Sequence, residues 1–177
     1  KETGQPTGWH GCGSLRLAYK QEDLDWFRYV KGILDNVGVP AEIISTNEIK
    51  KIHPFIKLDG IIGGFHTLED GHTDPTSTTN AMAKGARNGG AKIYRNNRVI
   101  DIKARLSGEW EIITENGNIV CEHVVNAAGS FCPEISQMVG IKNVPSINMI
   151  HHYLVTDEHP EIKKLTKELP VVRDPIS

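Results

Sequence analysis

Arg98-Val99-Ile100-Asp101-Ile102, then Trp110-Glu111-Ile112-Ile113-Thr114, Asn116-Gly117, and Val124-Val125-Asn126-Ala127-Ala128-Gly129-Ser130-Phe131 form the stretch that decides the fold. Alternating apolar and polar residues make the first two segments strands, and Ser107-Gly108 and Asn116-Gly117 are turn dipeptides that join antiparallel neighbours. The pattern predicts a β-meander. Its last strand is expected to be the apolar run from Val124 that ends in Asn-Ala-Ala-Gly. Side chains there become so small that another backbone or a ligand can lie against the chain.

Working outward toward the N-terminus, Asp74-Pro75 reads as an N-cap and first helical residue. They open a helix of small residues, Ala81, Ala83, Gly85 and Ala86, that runs to Asn88 and stops at Gly89-Gly90. Lys92 to Tyr94 is expected to be the strand it feeds. Gly60-Ile61-Ile62-Gly63-Gly64-Phe65-His66 is a glycine-laced strand, and three glycines in five residues suggest close approach by another element or a ligand. Before it, Ser45 or Thr46 caps a brief helix through Ile52, after a short strand at Ala41 to Ile44. Leu24, Phe27, Val30, Leu34 and Val37 share one helical face, with Gly38 and Pro40 as the stop and Trp26, Phe27 and Tyr29 expected in the core. Leu15, Leu17 and Tyr19 alternate as a strand.

Toward the C-terminus, Pro133 starts a helix that Gly140 ends. Ile147, Met149 and His151-His152-Tyr153-Leu154-Val155-Thr156 read as a further strand, which places His152 and Tyr153 on opposite faces. A short helix from Pro160 to Leu169 and Val171-Val172-Arg173 follow. The fold class is therefore α/β with α+β character: a three-stranded β-meander plus a mixed sheet.

Composition sets outer bounds. The 177 residues are 38% hydrophobic and 24% charged, with a net charge of −2, so neither nucleic acid nor an anionic membrane is expected as a partner. No apolar run approaches the roughly 20 residues of a membrane helix. The chain starts Lys1-Glu2-Thr3-Gly4 with no apolar leader, and it is expected to be an internal piece of a longer protein. Cys12, Cys121 and Cys132 lack C-x-x-C spacing, which argues against a disulfide framework or a zinc site and for a reducing compartment. Cys132, at a helix start, is read as a passive residue there.

The ordered motifs carry a resemblance. Gly13-Ser14-Leu15-Arg16-Leu17-Ala18, Asp70-Gly71-His72-Thr73-Asp74-Pro75, Gly90-Ala91-Lys92-Ile93, the Val99 strand, the Thr114 to Gly117 hairpin, Val124-Val125-Asn126-Ala127-Ala128-Gly129, His152-x-Leu-Val-Thr and Leu169-Pro170-Val171-Val172-Arg173-Asp174 succeed one another along the chain. This series resembles the flavin-dependent amine oxidoreductases of the D-amino-acid oxidase superfamily, within it the dimethylglycine and sarcosine dehydrogenases. The resemblance implies an internal fragment of an FAD enzyme, with an FAD-binding region at 69–140 flanked by substrate-binding regions at 1–68 and 141–177. The dinucleotide fingerprint G-x-G-x-x-G is absent, and in the family it lies upstream of where this chain starts.

Site residues follow from the same resemblance. Val99 is expected to pass the adenine, and Ala127, Ala128, Gly129 and Phe131 to lie by the FAD phosphates and ribitol, next to a helix start whose dipole favours anions. For the amine, His152, Tyr153 and His66 are the candidate catalytic residues, because a neutral imidazole or a phenol can handle an amine proton. The family carries a tyrosine where His66 falls, and often another where Thr76 falls, so the substrate is left open. The expected reaction takes a hydride equivalent from a small methylated glycine such as dimethylglycine or sarcosine, with an acceptor protein or oxygen downstream. The alternatives are a glycine or D-amino-acid oxidase, or a non-catalytic subunit completing a partner's FAD site. The expected compartment is cytoplasmic, or the mitochondrial matrix in a eukaryote. His72 with Asp70 and Asp74 has the wrong spacing for a calcium loop, and no metal centre is expected.

Overall fold

The computed structural model describes residues 2–176, and these fall into two compact units, 2–91 with 158–176, and 92–157. In the first unit, strands β1 (Ser14–Ala18), β2 (Ala41–Ile44), β3 (Gly63–Thr67) and β7 (Val171–Arg173) form one sheet in the order β2-β3-β1-β7. β3 runs antiparallel to both neighbours, while β7 lies parallel to β1, so the sheet is mixed.

Strand alternation distributes the apolar side chains to two faces. Leu15, Leu17 and Ile44 join Ile49 and Ile61 on one face, and Ala18, Ala41 and Phe65 join Phe27 on the other. Helix α1 (Gln21–Asn36) covers the second face, with Phe27 stacked on Phe65 at a ring separation of 5.4 Å. Leu24, Val30 and Leu34 flank that contact, as helical spacing requires. Val37 caps the helix and is exposed instead, because the chain has already left helical geometry there. Trp26 and Tyr29 also depart from expectation: both are exposed and lean on each other at 5.4 Å, since only the stripe through Phe27 faces the sheet.

Helix α2 (Thr46–Ile52) covers the first face. Of the two cap candidates, Ser45 takes the position: its hydroxyl accepts from Glu48 N–H while the Glu48 carboxylate accepts from Ser45 N–H, a reciprocal capping box. Ile49, fully buried, explains part of the glycine-laced strand. A Cβ on Gly64 would stand 3.0 Å from both Ile49 Cδ1 and Leu15 Cδ1, so here the close neighbour is packed protein. Helix α3 (Pro75–Asn88) begins and ends as predicted, with Asp74 Oδ1 accepting from Ser77 N–H at 2.6 Å. Lys92–Tyr94 forms no strand, because no ladder partner is present for it among the described residues.

The second unit contains the meander: β4 (Val99–Ala104), β5 (Trp110–Thr114) and β6 (Gly117–Cys121), antiparallel in that order. The three-stranded count is as expected, but the third strand is not the one the apolar run suggests. The Asn116-Gly117 turn returns the chain at once into β6, and Val124 to Ala128 follows without strand pairing. A one-turn 3₁₀ helix (Gly129–Phe131) leads into α4 (Cys132–Met138). Residues 147–156 form no strand either; they are exposed throughout. Alternation supplies the preference for a strand, but a strand also needs a neighbour to satisfy its backbone. The predicted Pro160–Leu169 helix is only α5 (Pro160–Lys163), in the first unit.

Candidate functional site

In the second unit, the turn after Ala128 is held by Asn126. Its side-chain amide donates to the carbonyl of Cys132 at 2.9 Å and to Ser136 Oγ at 3.0 Å, and its Oδ1 accepts from Ala128 N–H at 3.2 Å. Phe131 N–H closes the turn onto the Ala128 carbonyl at 3.0 Å. Gly129 sits at φ +56°, a region L side chains rarely adopt, and a Cβ built on it would meet no atom within 4 Å. Small side chains therefore leave this turn uncovered by protein, unlike the Gly64 position.

Two of the residues expected at the cofactor come together. Val99, the first residue of β4, and Phe131 line one cavity of about 420 Å³ with Ile135, Met138, Arg98 and Glu134. Ala127, Ala128 and Gly129 form the turn leading to Phe131. Helix α4 is only seven residues long, which limits the dipole that the sequence reading assigned to it. Asn126 was missed as a positioning residue. Its signal was available: an Asn side chain bonding the backbone two residues on is a recurrent turn device.

The catalytic candidates are divided between the units. His66 lies on β3 between Leu15 of β1 and Glu42 of β2. It lines a cavity of about 500 Å³ with Cys12, Lys51, Pro54, Leu68 and the 165–170 segment. His152 and Tyr153 lie in the exposed 147–156 stretch of the second unit, with the Tyr153 ring 6.3 Å from that of His151. Because that stretch is not a strand, the opposite-face argument separating His152 from Tyr153 does not hold.

The Asp70, His72 and Asp74 grouping also dissolves. Asp70 is engaged by the Ser14 hydroxyl and by Gly71 N–H, which, in that order, hold its carboxyl below the ordinary carboxylate range. The Asp74 carboxyl, capping α3 through Ser77, is likewise held low. His72 turns to other partners. His10 and His72 exchange backbone bonds as an isolated antiparallel bridge, at 2.9 and 3.1 Å. Their rings stack at 4.8 Å, and both meet the carboxylate of Glu168: His10 Nδ1 to Oε2 at 2.9 Å, His72 Nε2 to Oε1 at 2.7 Å. These contacts, His72 first and His10 second, keep the Glu168 carboxyl below its ordinary pKa.

A chain that contains both a mixed sheet and an antiparallel meander has solved counterparts. L-proline dehydrogenase from P. horikoshii superposes with a TM-score of 0.71 at 30% identity, over 81% of this chain and 38% of that one. The family model described as FAD dependent oxidoreductase matches residues 1–176, and the chain belongs to that family. Among curated relatives, mitochondrial dimethylglycine dehydrogenase of Rattus norvegicus is 38% identical over 174 residues, 98% of this chain. Mitochondrial sarcosine dehydrogenase of Mus musculus is 30% identical over 179 residues, again 98% of the chain. The chain spans 20% of the length of the first and 19% of the second.

Proposed function

We propose that the parent of this chain oxidises the C–N bond of a small N-methylated amino acid of the dimethylglycine or sarcosine type. The observation that carries this reading is the 38% identity to a dimethylglycine dehydrogenase across 98% of the chain. FAD, when bound, supplies the two-electron acceptor for such an oxidation. Support for residues that suit its polar linker and rings comes from the turn at Ala127, Ala128 and Gly129, uncovered at Gly129, and from the cavity between Val99 and Phe131. In this reading 69–140 belongs to the FAD-binding region, and 1–68 and 141–177 to the substrate side.

The chain's own share is to bind and orient a small amine and to take up its proton. Only the neutral amine has a free electron pair at nitrogen, so a base beside it favours the reactive form. His152 is assigned that role on its family pattern, with His66 and Tyr153 as the further candidates. The electron acceptor is a protein or oxygen, and the mitochondrial naming of the two relatives favours the matrix over the cytoplasm.

The test uses the full-length parent. Stopped-flow flavin reduction by dimethylglycine and sarcosine should fall by about tenfold or more in His152→Ala, the scale of a general-base contribution. Tyr153→Phe should leave that rate near normal; a normal rate in the histidine variant with a slow tyrosine variant reverses the assignment. Gly129→Val should lose FAD, because a branched residue resists φ +56° and fills the uncovered turn. Retention of the flavin with unchanged affinity makes that turn merely structural. Reduction by glycine or a D-amino acid, with none by the methylated glycines, transfers the parent to the oxidase alternative.

A further inference from the structure

We infer that His10, His72 and Glu168 form a binding site for one divalent transition-metal ion of the zinc type. The three come from distant segments, with His10 and Glu168 separated by 158 positions, yet each offers one ligand atom and these atoms lie within 4.8 Å of one another. Two imidazoles and one carboxylate are the donor set that zinc accepts at about 2.0–2.2 Å, with a further position left for water. Ligands at that radius around a tetrahedral ion stand about 3.3 Å apart. The His10 Nδ1–Oε2 and His72 Nε2–Oε1 separations, 2.9 and 2.7 Å, open by tenths of an ångström, and ligand atoms as far as 4.8 Å apart close on the ion by about 1.5 Å through side-chain rotation.

The scaffold limits how far the two imidazoles can drift. The His10–His72 bridge fixes both backbones, and the chain is tight there: a Cβ on Gly71 would fall 1.9 Å from the carbonyl oxygen of His10. Glu168 is positioned by the chain just beyond it, where Val171 N–H donates to the Gly13 carbonyl at 3.0 Å as β7 joins the sheet. All three side chains are about half exposed, so an ion can enter from solvent and keep water in its open position. Asp70 and Asp74 are engaged in local caps and do not compete for it.

The competing account is a metal-free clasp, in which both imidazoles simply hydrogen-bond one carboxylate. Calorimetric titration of the 177-residue chain, stripped with chelator, against zinc chloride separates the two. One saturable equivalent per chain is expected, with a raised melting temperature. His72→Gln and Glu168→Gln, checked for folding by circular dichroism, should each weaken it by about tenfold or more, while His123→Ala leaves it unchanged. Cobalt substitution gives a reading on the unmutated chain: visible d–d bands of a four-coordinate nitrogen and oxygen site are expected. No stoichiometric zinc, or zinc binding untouched by both glutamine variants, overturns the site and leaves the clasp.

Discussion

The two units differ in what covers their sheets. In the first, both faces of the sheet are packed: Leu15 and Ile49 are fully buried on one side, and Ala18, Phe27 and Phe65 nearly so on the other. In the second, Ile102 is the one buried apolar side chain among the described residues, while Val125, Ile147, Leu154 and Val155 are 88–92% exposed. Both regions have strand-like alternation, so patterning alone does not separate them. What separates them is whether a neighbouring element is present to take the apolar face, which is the condition for burial to stabilise anything. The expected cofactor turn lies in the unit with the less complete cover, as a ligand-binding edge requires.

The sharpest way to break this contrast is to empty the packed core. Leu15→Ala should destabilise the first unit by about 2–5 kcal/mol, because the cavity lies between two buried neighbours and cannot easily collapse. Urea unfolding followed by circular dichroism reads it, and a cost near zero would show that the sheet faces are not the stabilising element.

A smaller effect depends on pH. His53 follows α2, and its Nδ1 is shielded from solvent with no hydrogen-bond partner among the described residues. Burial lowers its pKa, outweighing an opposite pull from its own backbone, with nearby Lys50 adding to the decrease. The unfolded chain therefore binds the proton more readily. Stability is complete above the ordinary imidazole value of 6.5 and is lost as pH falls from there toward the lowered folded value. The capping carboxylates Glu48, Asp70 and Asp74 follow in a second window: their stabilisation is present above the ordinary values of 4.5 and 3.8 and is lost as pH falls through the lower folded ones. His53→Gln should flatten the first window and leave the second. A slope that persists between pH 6.5 and 4.5 in that variant would remove His53 as its source.

Ser45→Ala should cost about 1 kcal/mol through loss of the cap on α2, with Ser45→Asn restoring most of it. At the other end of the scale, Val125→Ser should change the stability of this chain by less than about 0.5 kcal/mol, since the side chain is 88% exposed. A larger loss, measured in the same unfolding assay, would mean that Val124 to Ala128 packs as the predicted strand after all.

What the sequence determined by itself is largely what neighbours in sequence can settle. The cap of α2 at Ser45 or its neighbour, the Asp74-Pro75 start and Gly89 stop of α3, the apolar stripe through Phe27 and the Asn116-Gly117 turn are all local, so their residues announce them. The family, too, was readable, because an ordered series of short motifs survives in the sequence even where each is weak alone. Tertiary structure decided the questions that depend on who stands opposite. It chose Gly117–Cys121 over Val124 to Ala128 as the third meander strand, and left 147–156 unpaired, because ladder bonds are made between segments. It also took His72 away from Asp70 and Asp74, three adjacent-looking ligands, and gave it His10 and Glu168. Sheet register brought those three together across the chain, and no spacing within the sequence encodes a meeting that depends on how β7 adds to β1.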